Sequence, residues 1–464
     1  MFKRRKQAAC LALCLALIAV LPGCGQKTGP DPKHPVTLEV WHNFGGQMQA
    51  TMDDLVDTFN LTVGKEKGIV LNVTSVSGSA SLQEKLTMIA NGDPGAPEMP
   101  DLTTCYPATA VLLQEKGLLA PLDEQFTQEE LSLYLPRFLE EGRLSDGKLY
   151  VFPFAKSTEV LFVNQTLFDR FASETGVTMD SLSTFEGIAK AALRYYEWTD
   201  AQTPDLPNDG KDFYTADSAF NLAQVGMRQM GGSLLKNESL NLSSPEFQRI
   251  WDVICEPAVK GGYALYDGYS SDLSKTGEIV CSTGSTAGIL FYGTEITYPD
   301  NTTEQVEYSV LPFPVFQGGQ KIAIQRGSGI VAAKTTPEKE RAAAIFLKWF
   351  TAPEQNMKFI ASTGYLPVTN EAFENSMEQE IADNQNKNIQ RLFRTAIEVH
   401  TAYDFYIPPV FDGFNSLSSR YGKDLLTCLK RAREQYLALL ETESPEDAYS
   451  RASQEALEAF RQQR

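Results

Sequence analysis

Side chains with metal-binding or nucleophilic chemistry are few in this chain, and they are widely spaced. The three histidines are His34, His42 and His400, and no HExxH motif or Cys/His cluster accompanies them. The sequence also lacks a GxSxG turn and a phosphate-binding P-loop, the usual signatures of many hydrolases and nucleotide-binding proteins. It therefore predicts no metal site, no cofactor and no catalytic residues, and we expect a protein that is not an enzyme.

The cysteines fall into two groups. Cys10, Cys14 and Cys24 lie near the start of the chain, whereas Cys105, Cys255, Cys281 and Cys428 are scattered through the rest without CxxC spacing. The scattered group is compatible with one or two disulfides in an exported protein, but the spacing requires none.

Cys24 is the one cysteine for which the sequence predicts covalent chemistry. A positive segment, Lys3 to Lys6, precedes an apolar run of about 14 residues from Ala8 to Leu21, which is too short to span a bilayer but typical of a signal peptide. The run ends in Leu21-Pro22-Gly23-Cys24, which resembles a bacterial lipobox. We expect residues 1–23 to be a lipoprotein signal peptide and Cys24 to carry acyl chains such as palmitate. The chain would then be anchored to the extracytoplasmic face of the cell membrane.

The segment that follows Cys24 and the overall charge limit which partners are expected. Residues 24–35 are rich in Gly, Pro and polar residues and indicate a flexible tether. The formal net charge is −18, and loss of the four cations of the leader would make it more negative. No basic stripe with interleaved aromatic residues occurs, so nucleic acid is not an expected partner.

Alternating strand and helix patterns predict the elements that position a site. Val36–Trp41, 69–76 and 102–105 read as strands, and 79–90 and 108–116 read as the helices that follow two of them. This order favours a parallel α/β sheet, in which ligands bind beyond the carboxyl ends of the strands. Further helices are predicted at 168–174, 185–196, 216–230 and 246–259, and strands at 279–283, 308–311 and 329–333.

Six segments, in order along the chain, carry a family resemblance. They are 38–46, 152–164, 277–284, 326–331, 342–353 and 363–368. Together they resemble the bacterial extracellular solute-binding proteins of the sugar-type family 1, and most closely the subgroup that binds sn-glycerol 3-phosphate. The resemblance extends over nearly the whole chain after the leader.

The resemblance implies a two-lobed, periplasmic-binding-protein-like fold of type II with three crossings between the lobes. One lobe would combine residues 36–153 and 327–363, and the other 155–325 and 366–464. A solute would bind in the cleft between them, and closure of the lobes would signal to the permease subunits of an ABC importer.

The same resemblance implies ligand-binding residues. It points to Ser157, to a serine of the 282–285 loop that we take to be Ser285, to Gly327 and to Tyr365, with Tyr365 the leading candidate. Trp41 and His42 end a predicted strand on the binding side and are further candidates. Hydroxyl groups and aromatic faces of this kind suit a sugar or polyol.

The sequence departs from the glycerophosphate-binding subgroup at three positions. That subgroup also uses a tyrosine, a glutamate and an arginine, where this chain has Leu82, Pro107 and the stretch 410–414. A phosphate without a matched arginine is poorly compensated, although Arg326 or Arg420 could substitute. A neutral sugar or oligosaccharide is therefore the expected solute. The alternatives left open are sn-glycerol 3-phosphate or a glycerophosphodiester, a secreted glycan hydrolase, and a structural surface lipoprotein.

Overall fold

The computed structural model describes residues 29–76, 78–411 and 413–462 of the chain. The signal peptide predicted at 1–23, Cys24 and the first part of the predicted tether lie outside the described residues. Within the described ranges, no helix combines the length and the apolar character that crossing a bilayer requires.

The strands are mostly short and alternate with helices. In chain order they are β1 (Val36–His42), β2 (Ile69–Ser75), β3 (Leu102–Cys105), β4 (Phe152–Ser157), β5 (Glu159–Asn164), β6 (Tyr214–Ala216), β7 (Leu235–Lys236), β8 (Ser239–Leu240), β9 (Cys281–Ser285), β10 (Glu295–Thr297), β11 (Thr303–Gln305), β12 (Tyr308–Pro312), β13 (Ile322–Ile324), β14 (Arg326–Ala332) and β15 (Asp404–Tyr406).

The α-helices range from single turns to a long C-terminal pair. They are α1 (Gly46–Phe59), α2 (Lys65–Lys67), α3 (Ser79–Asn91), α4 (Pro107–Glu115), α5 (Gln128–Leu131), α6 (Pro136–Glu141), α7 (Gln165–Thr175), α8 (Phe185–Asp200), α9 (Ala219–Gln229), α10 (Pro245–Lys260), α11 (Ser270–Lys275), α12 (Pro337–Phe350), α13 (Pro353–Ala361), α14 (Met377–Asp383), α15 (Lys387–Ala402), α16 (Phe414–Leu439) and α17 (Pro445–Gln462). Short 3₁₀ and π segments occupy Asn60–Gly64, Leu122–Glu124, Met179–Ser183, Thr286–Phe291 and Ala372–Ser376.

The first large sheet has the strand order β2-β1-β3-β14-β4. β1 runs parallel to β2 and β3, as the alternating strand and helix patterns predicted, and β14 is antiparallel to β3 and β4. Leu38 and Val40 of β1 are buried while Glu39 between them is exposed, so one face of this strand packs against helices. On that side Phe59 of α1 meets Trp349 of α12 edge-on, with ring centroids 5.3 Å apart.

The second large sheet has the order β12-β5-β9-β6. All six residues of β5, an inner strand of this sheet, are buried, so neither face of the strand is open to solvent. The C-terminal helices belong to this unit: Phe460 of α17 contacts Trp251 of α10 and Tyr421 of α16, with ring centroids 5.7 and 5.2 Å apart. Each sheet with its helices forms one lobe, so the prediction of an α/β fold is confirmed.

The chain enters or leaves the first sheet at points where strands of different sheets are almost adjacent in sequence. Thr158 alone separates β4 from β5, and its hydroxyl donates to the Ile324 carbonyl oxygen at 2.7 Å. Gln325 alone separates β14 of the first sheet from β13, which pairs with β15 in a small two-stranded sheet. A third segment lies alongside, since the Leu366 amide donates to the Lys156 carbonyl oxygen at 2.7 Å. We refer to these three adjacent passages as the hinge.

Gly327, just beyond the hinge, has a φ of 94°, a conformation that side-chain-bearing residues rarely adopt. A Cβ atom there would lie 2.2 Å from the Ala155 carbonyl oxygen, so the close approach of β4 and β14 requires glycine.

Candidate functional site

A cavity of about 640 Å³ lies between the two lobes, and we call it the main chamber. Residues of both lobes form its wall: the turn after β1 and the start of α3 on one side, and the end of β9 with the segment that follows it on the other. The wall includes Asn43, Phe44, Ser79, Asp217, Tyr269, Ser270, Asp272, Lys275, Ser285, Phe291, Tyr292, Arg326 and Tyr365.

Hydrogen bonds fix the polar side chains on the first-lobe side of the main chamber. Asn43 Nδ2 donates to Ser79 Oγ at 2.7 Å, and Thr104 Oγ1 donates to Asn43 Oδ1 at 3.0 Å. The amide of Asn43 is therefore held in one orientation. The helices α1 and α3 both begin at this wall, and among the described residues no side chain caps either N-terminus. Their first backbone N–H groups are available to a ligand oxygen.

Tyr292 is the main aromatic group on the second-lobe side. Its ring stacks on Phe162 with centroids 4.2 Å apart, and its hydroxyl lies 2.9 Å from Ser282 Oγ and 3.3 Å from Ser270 Oγ. Burial raises the pKa of Tyr292 above its usual range, so the hydroxyl stays protonated. Asp217 completes this network by accepting from the Ser270 backbone amide at 3.1 Å.

Arg326 stands at the edge of the main chamber and is paired with a carboxylate behind it. Its Nη1 donates to Glu159 Oε1 at 2.8 Å, and Asn221 Nδ2 donates to the same oxygen at 2.7 Å. The Glu159 side chain is only 2 % exposed, whereas that of Arg326 is 33 % exposed. Burial raises the pKa of Glu159, and the neighbouring charge of Arg326 opposes that increase.

A second cavity of about 390 Å³ adjoins the first, and we call it the second chamber. It shares Ser79 and Arg326 with the main chamber, and Gly327 lies in its wall. The cleft therefore continues past the Arg326 guanidinium.

Comparison with known protein families agrees with a ligand-binding cleft between two lobes. The family model for bacterial extracellular solute-binding proteins matches residues 54–388, which is well over half of the chain. The chain belongs to this family. The resemblance inferred from the six sequence segments is thereby confirmed.

A relative of this solute-binding protein matches it over about three quarters of both chains. The sn-glycerol-3-phosphate-binding periplasmic protein UgpB of Rhizobium meliloti (strain 1021) is 23% identical over 354 residues, which cover 73% of this chain and 76% of that protein.

Solved structures extend the likeness to the fold of the whole described chain. The cyclic α-maltosyl-1,6-maltose binding protein of Arthrobacter globiformis has a TM-score of 0.65 at 18% identity, covering 92% of this chain and 100% of that one. UgpB of Mycobacterium tuberculosis in complex with glycerophosphocholine has a TM-score of 0.64 at 16% identity, covering 92% and 99%. The two-lobed, periplasmic-binding-protein-like fold class is therefore confirmed.

Three of the ligand-binding residues predicted for this solute-binding protein lie in the cleft. Tyr365 lines the main chamber, where its ring lies 6.0 Å from that of Phe359 and 6.1 Å from that of Phe44. Ser285 lines the same chamber, and its hydroxyl accepts from the Ala287 amide at 3.3 Å. Gly327 lines the second chamber.

The other three predicted residues lie behind the wall. Ser157 is 3 % exposed at the end of β4, and Trp41 packs against the apolar cluster beneath α3. His42 is fully buried, and its Nδ1 accepts from the Phe44 amide at 3.2 Å. Burial lowers the pKa of His42 to about 4, so the ring is neutral at pH 7. These three assignments remain predictions.

Sequence reasoning missed Asp217, Tyr292 and Glu159. Asp217 follows β6, a strand of three residues that is too short to produce an alternating pattern. Glu159 lies within one of the six family segments, but its partner Arg326 is 167 residues away, so no local signal reveals the pair. Asn43, in contrast, belongs to the quoted segment 38–46 and could have been selected as a polar side chain that follows a parallel strand.

Proposed function

We propose that this protein is the solute-capturing component of an ABC importer, and that it binds a neutral sugar or oligosaccharide in the cleft for delivery to the permease. The observation that carries the proposal is the charge balance of the main chamber. Among the described residues that line it, the cations are Arg326 and Lys275. Arg326 is paired with Glu159, and Lys275 is paired with Asp272 at 3.1 Å.

The remaining groups of the main chamber suit a polyhydroxylated ligand. Asp217 supplies a carboxylate that can accept from sugar hydroxyl groups, and Asn43 and Ser270 supply further polar atoms. The Tyr269 and Phe291 side chains are 72 and 51 % exposed at this wall. Exposed aromatic faces of this kind can pack against the C–H surface of a sugar ring.

We propose further that binding leaves the solute chemically unchanged. Members of the matched family are described as solute-binding proteins, and the acidic side chains of the main chamber have structural partners. Hydrolysis of a glycan would require one free carboxyl group to donate a proton and another to attack or to activate water.

The position in the cell and the division into lobes belong to the same proposal. We infer a lipoprotein that is held at the extracytoplasmic face of the membrane through Cys24, with residues 24–35 as the tether. The lobes are proposed to comprise 36–153 with 327–363, and 155–325 with 366–464. The sheets support this division, because β1 to β4 and β14 share one sheet and β5, β6, β9 and β12 share the other.

A phosphorylated solute is the second candidate. The Rhizobium meliloti relative is named for sn-glycerol 3-phosphate, and the Mycobacterium tuberculosis structure holds glycerophosphocholine. The uncapped N-termini of α1 and α3 at the main chamber also favour an anion. Against this, a phosphate would meet an arginine that is already neutralised.

A thermal-shift screen of the chain without its leader tests the proposal. The panel contains mono- and oligosaccharides, polyols, sn-glycerol 3-phosphate and glycerophosphodiesters. A solute present at 100 times its Kd adds about 2.7 kcal/mol to the free energy of unfolding, which is easily detected. We expect the largest shift with a neutral sugar, and a response to the glycerol phosphates alone would reverse the ranking of the two candidates.

Tyr365→Ala then tests whether the bound sugar occupies the main chamber. Loss of an aromatic contact should weaken binding by about tenfold, or ~1.4 kcal/mol, as measured by calorimetry. Tyr266→Ala is the control, because Tyr266 is an exposed tyrosine outside the residues that line either chamber. Equal affinity of the Tyr365→Ala variant and the unaltered chain would place the sugar elsewhere.

A further inference from the structure

The boundary between the two chambers contains an asymmetric ion pair. The Arg326 guanidinium lines both chambers, while its partner Glu159 lies behind the wall and is almost fully buried. A ligand can therefore approach the arginine but not the glutamate. The charge of Glu159 nevertheless acts across the short distance to the ligand space, because the surrounding protein screens it weakly.

The neighbouring groups hold Glu159 in this position. Asn221 Nδ2 donates to the same carboxylate oxygen that accepts from Arg326, so the carboxylate is fixed from two sides. Asp217 lies near enough for its charge to act on both Glu159 and Arg326. The charges of two carboxylates thus act on one cation, and the guanidinium presents N–H donors to the cleft without a net positive charge.

We propose that Glu159 is a specificity-determining residue, which neutralises Arg326 from behind and so excludes phosphorylated solutes from the cleft. The inference rests on the proposed function, since it explains how a cleft lined by an arginine comes to prefer neutral ligands. An unpaired arginine binds phosphate strongly through charge-assisted, bidentate hydrogen bonds. An arginine already paired with a carboxylate can still donate to sugar hydroxyl groups, but it offers no surplus charge to a phosphate.

Glu159→Gln is the direct test. Glutamine has nearly the same shape and can still accept from Arg326 and Asn221, so the substitution removes the charge and little else. The probes are inorganic phosphate, sn-glycerol 3-phosphate and the neutral sugar that gives the largest shift in the screen, with affinities measured by calorimetry at fixed ionic strength. We expect the affinity for both phosphates, relative to that for the sugar, to increase by at least about tenfold, and the gain to shrink as salt is added.

Two variants establish that the gain comes from Arg326. Glu307→Gln is the matched control, because it frees Arg391 from a similar Arg–Glu pair of 2.6 Å on the surface, where Glu307 is 63 % exposed. It should leave the affinity ratio unchanged. The double variant Glu159→Gln, Arg326→Gln should lose the gain, since the freed cation is gone.

Asp217→Asn provides an independent test. Unlike Glu159→Gln, this variant changes no fully buried residue, so the test does not depend on whether such a variant folds. Asp217 is only partly buried, and its replacement should increase the affinity for both phosphates by about threefold. The phosphate affinity itself is compared here, because Asp217 is also a proposed acceptor for sugar hydroxyl groups.

The possible outcomes separate this inference from the proposed function. If the unaltered chain binds a neutral sugar and neither Glu159→Gln nor Asp217→Asn gains affinity for phosphate, the role of Glu159 is wrong and the proposed function stands. If the unaltered chain itself prefers sn-glycerol 3-phosphate to every sugar, both the ligand assignment and the exclusion by Glu159 are wrong.

Discussion

Two buried ion pairs lie close to the hinge, and they differ in what the cation faces. At the hinge itself, Lys156 pairs with Glu141, and the two side chains are 3 and 9 % exposed. At the cleft, Arg326 pairs with Glu159, and here the cation is 33 % exposed while the anion is 2 % exposed. In both pairs a glutamate that is at most 9 % exposed contacts a cation on a strand of the first sheet, since Lys156 belongs to β4 and Arg326 begins β14.

The Lys156 pair is more deeply buried, although Glu141 borders the second chamber. Gln325 Nε2 donates to the same Glu141 oxygen that accepts from Lys156, and the Lys156 ammonium lies 5.8 Å from the centre of the Phe138 ring. The arginine pair is satisfied on its buried side only. We therefore expect the lysine pair to act mainly on stability, and the arginine pair to act mainly on the affinity for a ligand in the cleft.

The largest expected effect is on stability, and it comes from breaking the hinge pair. Lys156→Met leaves the Glu141 carboxylate buried without its counter-ion, which should lower the free energy of unfolding by about 3–5 kcal/mol. Chemical denaturation measures this loss. Lys348→Met is the control, because the Lys348–Glu130 pair is about one-third exposed and should contribute less than about 1 kcal/mol. Equal losses in the two variants would show that the hinge pair has no special role.

Breaking the Arg326–Glu159 pair should affect ligand affinity more than stability. Arg326→Met also removes a counter-ion, but Glu159 retains its hydrogen bond from Asn221, and its raised pKa makes protonation an accessible alternative. We expect a stability loss of about 2 kcal/mol, smaller than that of Lys156→Met. Sugar affinity should fall by at least about tenfold, because guanidinium donors at the ligand space are lost. A larger stability loss than that of Lys156→Met would contradict the comparison.

The fold of both regions was accessible from sequence, because strand and helix periodicities are local. The patterns in 36–41 and 69–76 predicted β1 and β2, and the helix predicted at 246–259 corresponds to α10, where Ser244 Oγ accepts from the Phe247 amide at 3.2 Å.

The two ion pairs could not be predicted from the sequence, because only the tertiary fold brings Glu141 and Glu159 close to their partners. The same limit applies to the direction of side chains at a strand end. His42 was predicted on the binding side, yet it continues the buried series of Leu38 and Val40 with a period of two. That alternation could have indicated its burial, whereas the exposure of Asp217 in the cleft depends on how β6 joins β9.

The smallest expected effect is the pH dependence of stability, and it arises near the hinge rather than in the cleft. Near the hinge, Arg137 Nη2 lies 2.7 Å from His400 Nδ1, and the His400 ring stacks on Phe373 with centroids 4.3 Å apart. Burial and, to a smaller extent, the charge of Arg137 together lower the pKa of His400 to about 4. The ring is therefore neutral at pH 7 and can accept a hydrogen bond from the guanidinium.

The sign of the pH effect follows from that pKa. The unfolded chain protonates this histidine near pH 6.5, well above the folded value of about 4, so between these limits the unfolded state binds more protons. Stability should fall as pH decreases from 6.5 to 4, by about 1–2 kcal/mol for this partly exposed side chain. His400→Gln should reduce that slope without altering the ratio of phosphate to sugar affinity, since His400 lines neither chamber. A change in this ratio would mean that the hinge histidine is coupled to the charges around Arg326, and the separation between the two regions would not hold.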